Sequence, residues 1–120
     1  YDLRSDVKDM PAIMAQADLA IASFGVTAYE LAVMGLPAIH LCLTDDHAES
    51  AQALSSAGIA VLLGERKSDT KVAVKQTVSA FMEDQNMQLK MSLSAKNLLD
   101  GLGCTRIAEK IIATELAVGC

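Results

Sequence analysis

Short apolar runs alternate with segments of helical periodicity along the first half of the chain. The runs at 18–23, 36–41 and 59–63 have the length of buried strands. The segments before and between them predict helices at about 9–16, 27–34 and 45–57, and the pattern at 3–7 admits a further strand. Alternation of this kind, with short connections, predicts an α/β fold with parallel strands joined by right-handed crossovers.

Residues with capping chemistry mark the ends of these helices. Asp9 is a favourable N-cap for the first helix, and Asp45 or Asp46 is expected to cap the third. Gly35 and Gly58 follow the second and third helices, where a glycine in the left-handed conformation commonly ends a helix.

The second half of the chain is predicted to be helical. Three helices are expected, at 70–83, 87–99 and 105–116, after a polar connection at 65–68. We therefore expect a single domain over 1–120, with an α/β part at 1–64 and C-terminal helices at 65–120. The apolar positions expected to face inward are Val72, Val74, Val78, Ala80, Phe81 and Met82, then Leu89, Met91, Leu93 and Leu98, then Ile107, Ala108, Ile111 and Ile112.

The composition narrows the class of protein. The chain has 120 residues, of which 52% are hydrophobic and 3% aromatic, which suits helices packed on a parallel sheet. A net charge of −5 gives no electrostatic reason to expect nucleic acid or an anionic membrane as a partner. No apolar run reaches about 18 residues, so any membrane association is expected to be peripheral. Formation of an oligomer is compatible with the sequence.

The cysteines indicate a reducing compartment. Cys42, Cys104 and Cys120 are odd in number and lack CxxC spacing, which predicts free thiols and a cytoplasmic location. No signal peptide is visible. The sequence begins at Tyr1 without an initiator methionine, so we expect a piece of a longer polypeptide.

The connection between the first strand and the second helix carries candidate binding chemistry. A turn containing Gly25 runs into the helix, and the N–H groups at a helix N-terminus attract phosphate. Glu30 lies one turn further on, where a carboxylate can accept hydrogen bonds from ribose hydroxyls. The alternative is structural: Thr27 and Glu30 have the spacing of a capping box, and Gly25 permits the turn.

A second candidate segment follows the second strand. Because ligands bind at the carboxyl ends of parallel strands, 23–27 and 43–47 are expected to lie side by side. His47 can donate to a phosphate or a sugar hydroxyl there, or lie solvated in the loop. His40, inside the strand, is expected to be a core histidine with its hydrogen bonds satisfied. The acidic residues near His47 fit no strong metal motif, so no metal is expected.

These motifs resemble the nucleotide-binding C-terminal half of GT-B-type glycosyltransferases. The resemblance is closest to the branch with the UDP-sugar hydrolase of pseudaminic acid synthesis and the spore-coat polysaccharide proteins, and extends to the lipid II-forming N-acetylglucosaminyltransferase. The matching stretches are Asp9-Met10, Ala17-Asp18-Leu19-Ala20-Ile21, Gly25-Val26-Thr27-Ala28-Tyr29-Glu30, Gly35-Leu36-Pro37, Asp100-Gly101-Leu102-Gly103 and Arg106-Ile107-Ala108.

The resemblance implies a Rossmann-like parallel sheet, followed by C-terminal helices, that binds a UDP-sugar as substrate without a resident cofactor. Its implied nucleotide-binding residues are Gly25, Val26, Thr27 and Glu30, and its implied sugar-facing residues are Asp45, Asp46 and His47. The chain departs from the family pattern at Phe24, where a second glycine is common, and at Asp46, His47 and Ser50, which replace amides. Phe24 is thus expected to put a bulky side chain beside the phosphates.

Two functions follow as hypotheses. The first is the UDP-sugar-binding part of a glycosyltransferase or UDP-sugar hydrolase of cell-surface glycan or nonulosonic acid biosynthesis. The catalytic residues would then lie outside this chain, in the N-terminal GT-B domain of the same protein. The second is a degenerate, non-catalytic module that mediates protein interaction or is fused to another sugar-pathway enzyme. Under either hypothesis upstream strands are expected to cover the edge of the strand at 18–23. Arg106 can reach a phosphate or pair with Asp100 or Glu109, and the pair is favoured.

Overall fold

The computed structural model describes residues 1–63 and 70–118, and within them the chain forms three strands and six helices around a parallel sheet. The elements are α1 (Met10–Met14), β1 (Ala20–Ser23), α2 (Val26–Val33), β2 (Ala38–Leu41), α3 (Asp45–Ser56), β3 (Val61–Leu63), α4 (Thr70–Glu83), α5 (Gln85–Leu98) and α6 (Gly103–Val118). The predicted mixed α/β class, with a parallel sheet and C-terminal helices, is confirmed.

The sheet has the order β1-β2-β3, so β2 lies in the centre. Ser23 pairs with Leu41 and Leu41 with Leu63, which aligns the carboxyl ends of all three strands. In the described part of the chain β1 has β2 on one side and no strand on the other. Residues 3–7 form no strand, and that prediction is wrong. Asp6 has a φ of 52°, which interrupts extended backbone, and Leu3 is exposed.

Most predicted helix boundaries are confirmed. The Asp9 side chain accepts a hydrogen bond from the Ala12 N–H, and Gly35 and Gly58 end α2 and α3 with φ values of 67° and 70°. The cap of α3 is a correction. Thr44, rather than Asp45 or Asp46, accepts the hydrogen bond from the His47 N–H, at 3.2 Å. Asp45 and Asp46 instead occupy the first turn, where carboxylates interact favourably with the helix dipole.

Two apolar clusters hold the helices on the sheet. They consist mainly of small and aliphatic side chains, which allow close approach of the helices. One cluster contains Phe24, Ala28, Ala32, Cys42, Ala51, Leu54, Ile59, Ala60 and Ala95, and the other contains Met14, Leu31, Leu36 and Ala38. The first cluster joins α2, α3 and α5, so a C-terminal helix shares its core with the α/β part.

The C-terminal helices bury fewer side chains than their periodicity predicts. In α5 the buried positions are Met91 and Ala95, and in α4 Phe81 is buried. Leu89, Leu93, Leu98, Val72 and Met82 are exposed, contrary to expectation. In α6 the predicted stripe shares one face, yet Ile107, Ile111 and Ile112 are 56–63% exposed. The physical reason is that periodicity identifies the residues that share a helix face but not the element that covers it.

Two expectations concern residues that the structure does not describe. The polar connection at 65–68 lies outside them, and so does Cys120. No helix in the described part of the chain combines the length and the apolar character needed to cross a bilayer.

The N-cap of α5 provides a stability prediction. An Asp84 carboxylate oxygen accepts a hydrogen bond from the Met87 N–H at 2.9 Å. Asp84→Ala should lower the free energy of unfolding by about 1 kcal/mol, because the first turn loses its capping acceptor. Urea unfolding measures this loss. Asp84→Asn is the control, since asparagine also caps, and an equal loss in both variants would contradict the role of the cap.

Candidate functional site

The N-terminus of α2 is open to a ligand. Gly25 is the N-cap residue, and no side chain in the described part of the chain caps the helix, so the capping box of Thr27 and Glu30 does not form. Ala28 N–H donates to the Gly25 carbonyl at 3.0 Å, which leaves the preceding N–H groups, those of Val26 and Thr27, without a capping side chain. Backbone donors of this kind, at the positive end of a helix dipole, bind anions.

The glycine at position 25 is not required by the fold. Its φ of 172° is extended backbone that any residue adopts. A Cβ built on Gly25 would meet no atom of the described residues within 4 Å. Neither the turn nor the local packing therefore explains a glycine, whereas close approach of a ligand to the backbone would.

A largely apolar cavity of about 520 Å³ lies beside this helix terminus. Val26 and Glu30, two of the predicted nucleotide-binding residues, line it, while Gly25 and Thr27 do not. The other lining residues come from α1, from α2 and its C-cap, from the turn between α5 and α6, and from the first turn of α6. They are Met10, Pro11, Met14, Tyr29, Val33, Met34, Leu99, Asp100, Gly101, Gly103, Cys104 and Arg106.

Sequence reasoning missed most of this cavity wall. A usable signal was present in α2, because Val26, Tyr29 and Val33 recur at helical spacing and are all exposed. Exposed apolar residues at such spacing indicate a surface that contacts something beyond the helix.

Arg106 and Asp100 form an ion pair at the cavity wall, as predicted. The guanidinium donates to both carboxylate oxygens, at 2.7 and 3.1 Å. The same carboxylate accepts from the Leu102 N–H at 3.0 Å. These hydrogen bonds, foremost those from Arg106, lower the pKa of Asp100 to about 2. The pair closes the turn around Gly101, whose φ is 75°, and thereby sets where α6 begins.

The predicted sugar-facing residues lie at the carboxyl end of β2. Asp45 and Asp46 are exposed in the first turn of α3, and His47 is partly buried. The His47 ring lies 6.0 Å from the ring of Phe24, which follows β1 directly. The two strand-end segments therefore lie side by side, as expected. None of these three residues lines the 520 Å³ cavity.

Phe24 belongs to the core. Its side chain is 8% exposed and joins the larger of the two apolar clusters. The centroid of its ring lies 6.0 Å from the centroids of both the His40 and the His47 imidazoles. The side chain therefore packs into the core rather than projecting from the surface at Gly25.

His40 is a core histidine, as predicted, but its hydrogen bonding is incomplete. It is 1% exposed, and its Nδ1 has no partner among the described residues. Burial lowers the pKa of His40, and a hydrogen bond with the Ala22 backbone partly offsets this effect. The side chain is thus held uncharged in the core.

This buried histidine predicts a pH dependence of stability. The unfolded chain binds a proton near the ordinary pKa of 6.5, whereas folded His40 does so only at lower pH. Stability should therefore fall as pH drops below about 6.5, by up to about 1.4 kcal/mol per pH unit. Urea unfolding of wild type and His40→Leu over this range isolates the contribution, since other groups cancel in the difference. Parallel pH profiles would contradict the prediction.

Other ligating chemistry is sparse in the described part of the chain. No group of three His, Cys, Asp or Glu side chains there could hold a metal ion. Cys42 is buried and free, and its burial raises the pKa of the thiol. Cys104 is free and exposed at the cavity wall.

The sequence was compared with protein-family models and with curated proteins. No protein-family model matches the chain. The chain is 26% identical over 107 residues to the spore coat polysaccharide biosynthesis protein SpsG of Bacillus subtilis (strain 168), covering 89% of the chain and 32% of that relative. It is 35% identical over 97 residues to the UDP-N-acetylglucosamine--N-acetylmuramyl-(pentapeptide) pyrophosphoryl-undecaprenol N-acetylglucosamine transferase of Stutzerimonas stutzeri (strain A1501), covering 77% of the chain and 27% of that relative.

The chain thus spans about a third or less of the length of the curated relatives it matches. Both relatives are of the GT-B type, and they confirm the resemblance to the GT-B glycosyltransferase superfamily that the sequence motifs indicated.

Proposed function

We propose that this chain is the UDP-sugar-binding C-terminal part of a GT-B-type glycosyltransferase or UDP-sugar hydrolase. The enzyme would act in the biosynthesis of cell-surface glycans or of nonulosonic acids. One relative is named for spore coat polysaccharide biosynthesis and the other for transfer of N-acetylglucosamine from its UDP derivative. The substrate would be a nucleotide-sugar, and the partner would be the remaining part of a longer polypeptide. The catalytic residues would lie in that part.

The observation that carries the proposal is the open N-terminus of α2 beside a cavity with a carboxylate in its wall. The N–H groups of Val26 and Thr27 would bind the diphosphate, because they have no capping side chain. Glu30 would accept hydrogen bonds from the ribose hydroxyls. The cavity is wide enough for a nucleoside and mainly apolar, which suits the faces of a nucleobase.

The sugar would extend from the diphosphate toward the neighbouring strand end. Asp45 and Asp46 are exposed there, and His47 lies against Phe24. These side chains can accept from or donate to sugar hydroxyls. They would orient the sugar, while attack on its anomeric carbon by an acceptor or by water would depend on groups outside this chain.

Titration of UDP into the full-length protein, followed by calorimetry, tests the proposal. We expect saturable binding with one UDP per chain. Absence of binding would contradict the nucleotide site and favour the alternative, a non-catalytic module that mediates protein interaction or is fused to another sugar-pathway enzyme.

The variant Gly25→Val tests whether the diphosphate binds at the backbone N–H groups that follow Gly25. The described residues leave room for a Cβ at this position, so the variant should fold, with a loss of about 1 kcal/mol because valine is a poorer N-cap than glycine. The added methyl groups would occupy the space through which a phosphate approaches the backbone. UDP affinity should fall at least about ten-fold, since a misplaced anion loses charge-assisted hydrogen bonds. Unchanged affinity in a folded variant would place the phosphate elsewhere.

A further inference from the structure

Tyr29 is the aromatic side chain of the cavity beside the N-terminus of α2. The chain has two tyrosines, two phenylalanines and no tryptophan. Phe24 and Phe81 are buried, whereas Tyr29 is 46% exposed. Among the described residues that line the cavity, Tyr29 is the single aromatic one, and most of its neighbours there are aliphatic or contain sulfur. The ring therefore gives the cavity a flat apolar surface that these neighbours lack.

The core restrains the ring of Tyr29. Its centroid lies 6.3 Å from the centroid of the Phe24 ring, and the two planes meet edge-on at 63°. A contact of this kind covers at most one face of the tyrosine ring. Because Phe24 is itself buried, the contact also restricts the motion of the tyrosine side chain. A ligand that packs against the ring then loses less entropy in ordering it.

Tyr29 belongs to a stripe of α2 that lines the cavity. Val26, Tyr29, Glu30 and Val33 follow one another at helical spacing, and all of them line it. Glu30, the proposed ribose acceptor, comes directly after Tyr29, so their Cα atoms lie about 1.5 Å apart along the helix axis. The open N-terminus of the helix lies about one turn before them. A nucleotide has its groups in a matching order, since its ribose joins the phosphates to the base.

A nucleobase that enters this cavity needs a partner for its flat face. Stacking on an aromatic ring is favourable for every base, because each base has a π-face. Aliphatic side chains also exclude water from a base, but they do not offer the quadrupole that favours offset stacking. The position, exposure and restraint of Tyr29 suit it to this contact.

We propose that Tyr29 is the residue on which the nucleobase of the bound nucleotide-sugar stacks, and that it determines affinity for the base rather than for the phosphates or the sugar. This inference rests on the proposed function for its ligand, and it adds a base contact to the phosphate and ribose contacts. Because stacking acts on the face of the base, it does not depend on the edge groups that distinguish one base from another.

A nucleotide whose base cannot stack isolates this contact. 5,6-Dihydro-UDP keeps the diphosphate, the ribose and the edge groups of uracil, but its base is saturated and puckered. In calorimetric titrations of the full-length protein, wild type should bind UDP at least about five-fold more tightly than 5,6-dihydro-UDP. Tyr29→Leu should lose most of this discrimination. Tyr29→Phe, which keeps the ring, should discriminate like wild type and is the matched control.

The NMR spectrum of bound UDP gives a readout that does not depend on affinity. Protons over the face of an aromatic ring are shifted upfield by its ring current. At saturating protein, the H5 and H6 resonances of uracil should therefore move upfield with wild type and Tyr29→Phe, and much less with Tyr29→Leu. A purely structural role of Tyr29 would change stability and affinity but leave this shift in place. An unchanged shift in Tyr29→Leu would overturn the proposal.

The titrations separate failure of this inference from failure of the proposed function. If wild type binds UDP and discriminates against 5,6-dihydro-UDP no more than Tyr29→Leu does, the nucleotide site stands and the stacking role of Tyr29 is wrong. If wild type binds no UDP, the proposed function and this inference fail together. Tyr29 is half-exposed, so Tyr29→Leu should fold, and urea unfolding checks this.

Discussion

Replacement of Phe81 by alanine should lower the free energy of unfolding by about 3–5 kcal/mol. Phe81 is 1% exposed and is one of the largest fully buried side chains of the described residues. It comes from α4, in a protein whose core consists mainly of alanine and aliphatic residues. Because protein interiors are close-packed and relax only partly after a side chain is truncated, most of the lost volume should remain as a cavity.

Urea unfolding followed by far-UV circular dichroism measures this loss. Met82→Ala is the matched control, because this side chain is 55% exposed one position further along the same helix. Its effect should stay within about 0.5 kcal/mol. Similar losses in both variants would contradict the prediction, because burial of the Phe81 ring would then not account for its effect.

The same experiment examines the division of the chain at 64. α4 contacts β3 and α5, and α5 contacts α2, so the C-terminal helices share contacts with the sheet and its helices. We therefore expect the Phe81→Ala variant to unfold in a single transition at lower urea concentration. A separate early transition of the helices would indicate that 65–120 folds independently.

The sequence was sufficient to predict the three strands of the sheet, their parallel direction and the first three helices. Short apolar runs separated by helical segments have few alternative arrangements, because crossovers are right-handed and neighbouring strands pair. Gly35 and Gly58 were predictable as helix ends, since a left-handed residue after a helix favours glycine strongly.

The direction of individual side chains was harder to predict. Phe24 was expected to stand beside the phosphates because a second glycine is common at its position in the family, yet burial in β1 alternates, and this alternation continues to Phe24 on the buried side. The alternation of the strand thus indicated that Phe24 is buried, but the expectation followed the family motif instead. For His40, the strand pattern correctly predicted burial, but it contains no information on whether an acceptor lies near Nδ1.

The cavity illustrates a different kind of limit. Glu30 and Arg106 are far apart in the sequence, yet they line one cavity. They meet because α5 packs on α2, and the chain after α5 then runs back to the exposed face of α2. Gly101 allows this return, since its φ is 75° and a Cβ there would lie 3.2 Å from a Val33 methyl group. Periodicity in two separate segments cannot reveal that their ends meet. The nucleotide-binding role of Glu30 is therefore best tested by substitution.

Exchange of Glu30 for glutamine should weaken UDP binding by about ten- to one-hundred-fold. A carboxylate that accepts from ribose hydroxyls forms charge-assisted hydrogen bonds worth about 1.5–3 kcal/mol, and an amide replaces one of its acceptor oxygens by a donor. Glu30 is exposed, lines the cavity and does not cap α2, so the substitution should leave folding intact. Calorimetric titration measures the change, with Glu83→Gln as a control of equal charge on an exposed part of α4.

The ribose assignment itself can be isolated with a modified ligand. If Glu30 contacts the 2′-hydroxyl, wild type should bind 2′-deoxy-UDP more weakly than UDP, and Glu30→Gln should discriminate between the two ligands much less. The interaction free energy of this cycle separates a direct contact from a general loss of negative charge near the site. Equal discrimination by wild type and Glu30→Gln would remove Glu30 from the ribose. The carboxylate would then affect UDP only through the field at the N-terminus of α2, where a negative charge opposes a bound phosphate, so Glu30→Gln should strengthen binding. The sign of the change in affinity thus distinguishes the two arrangements.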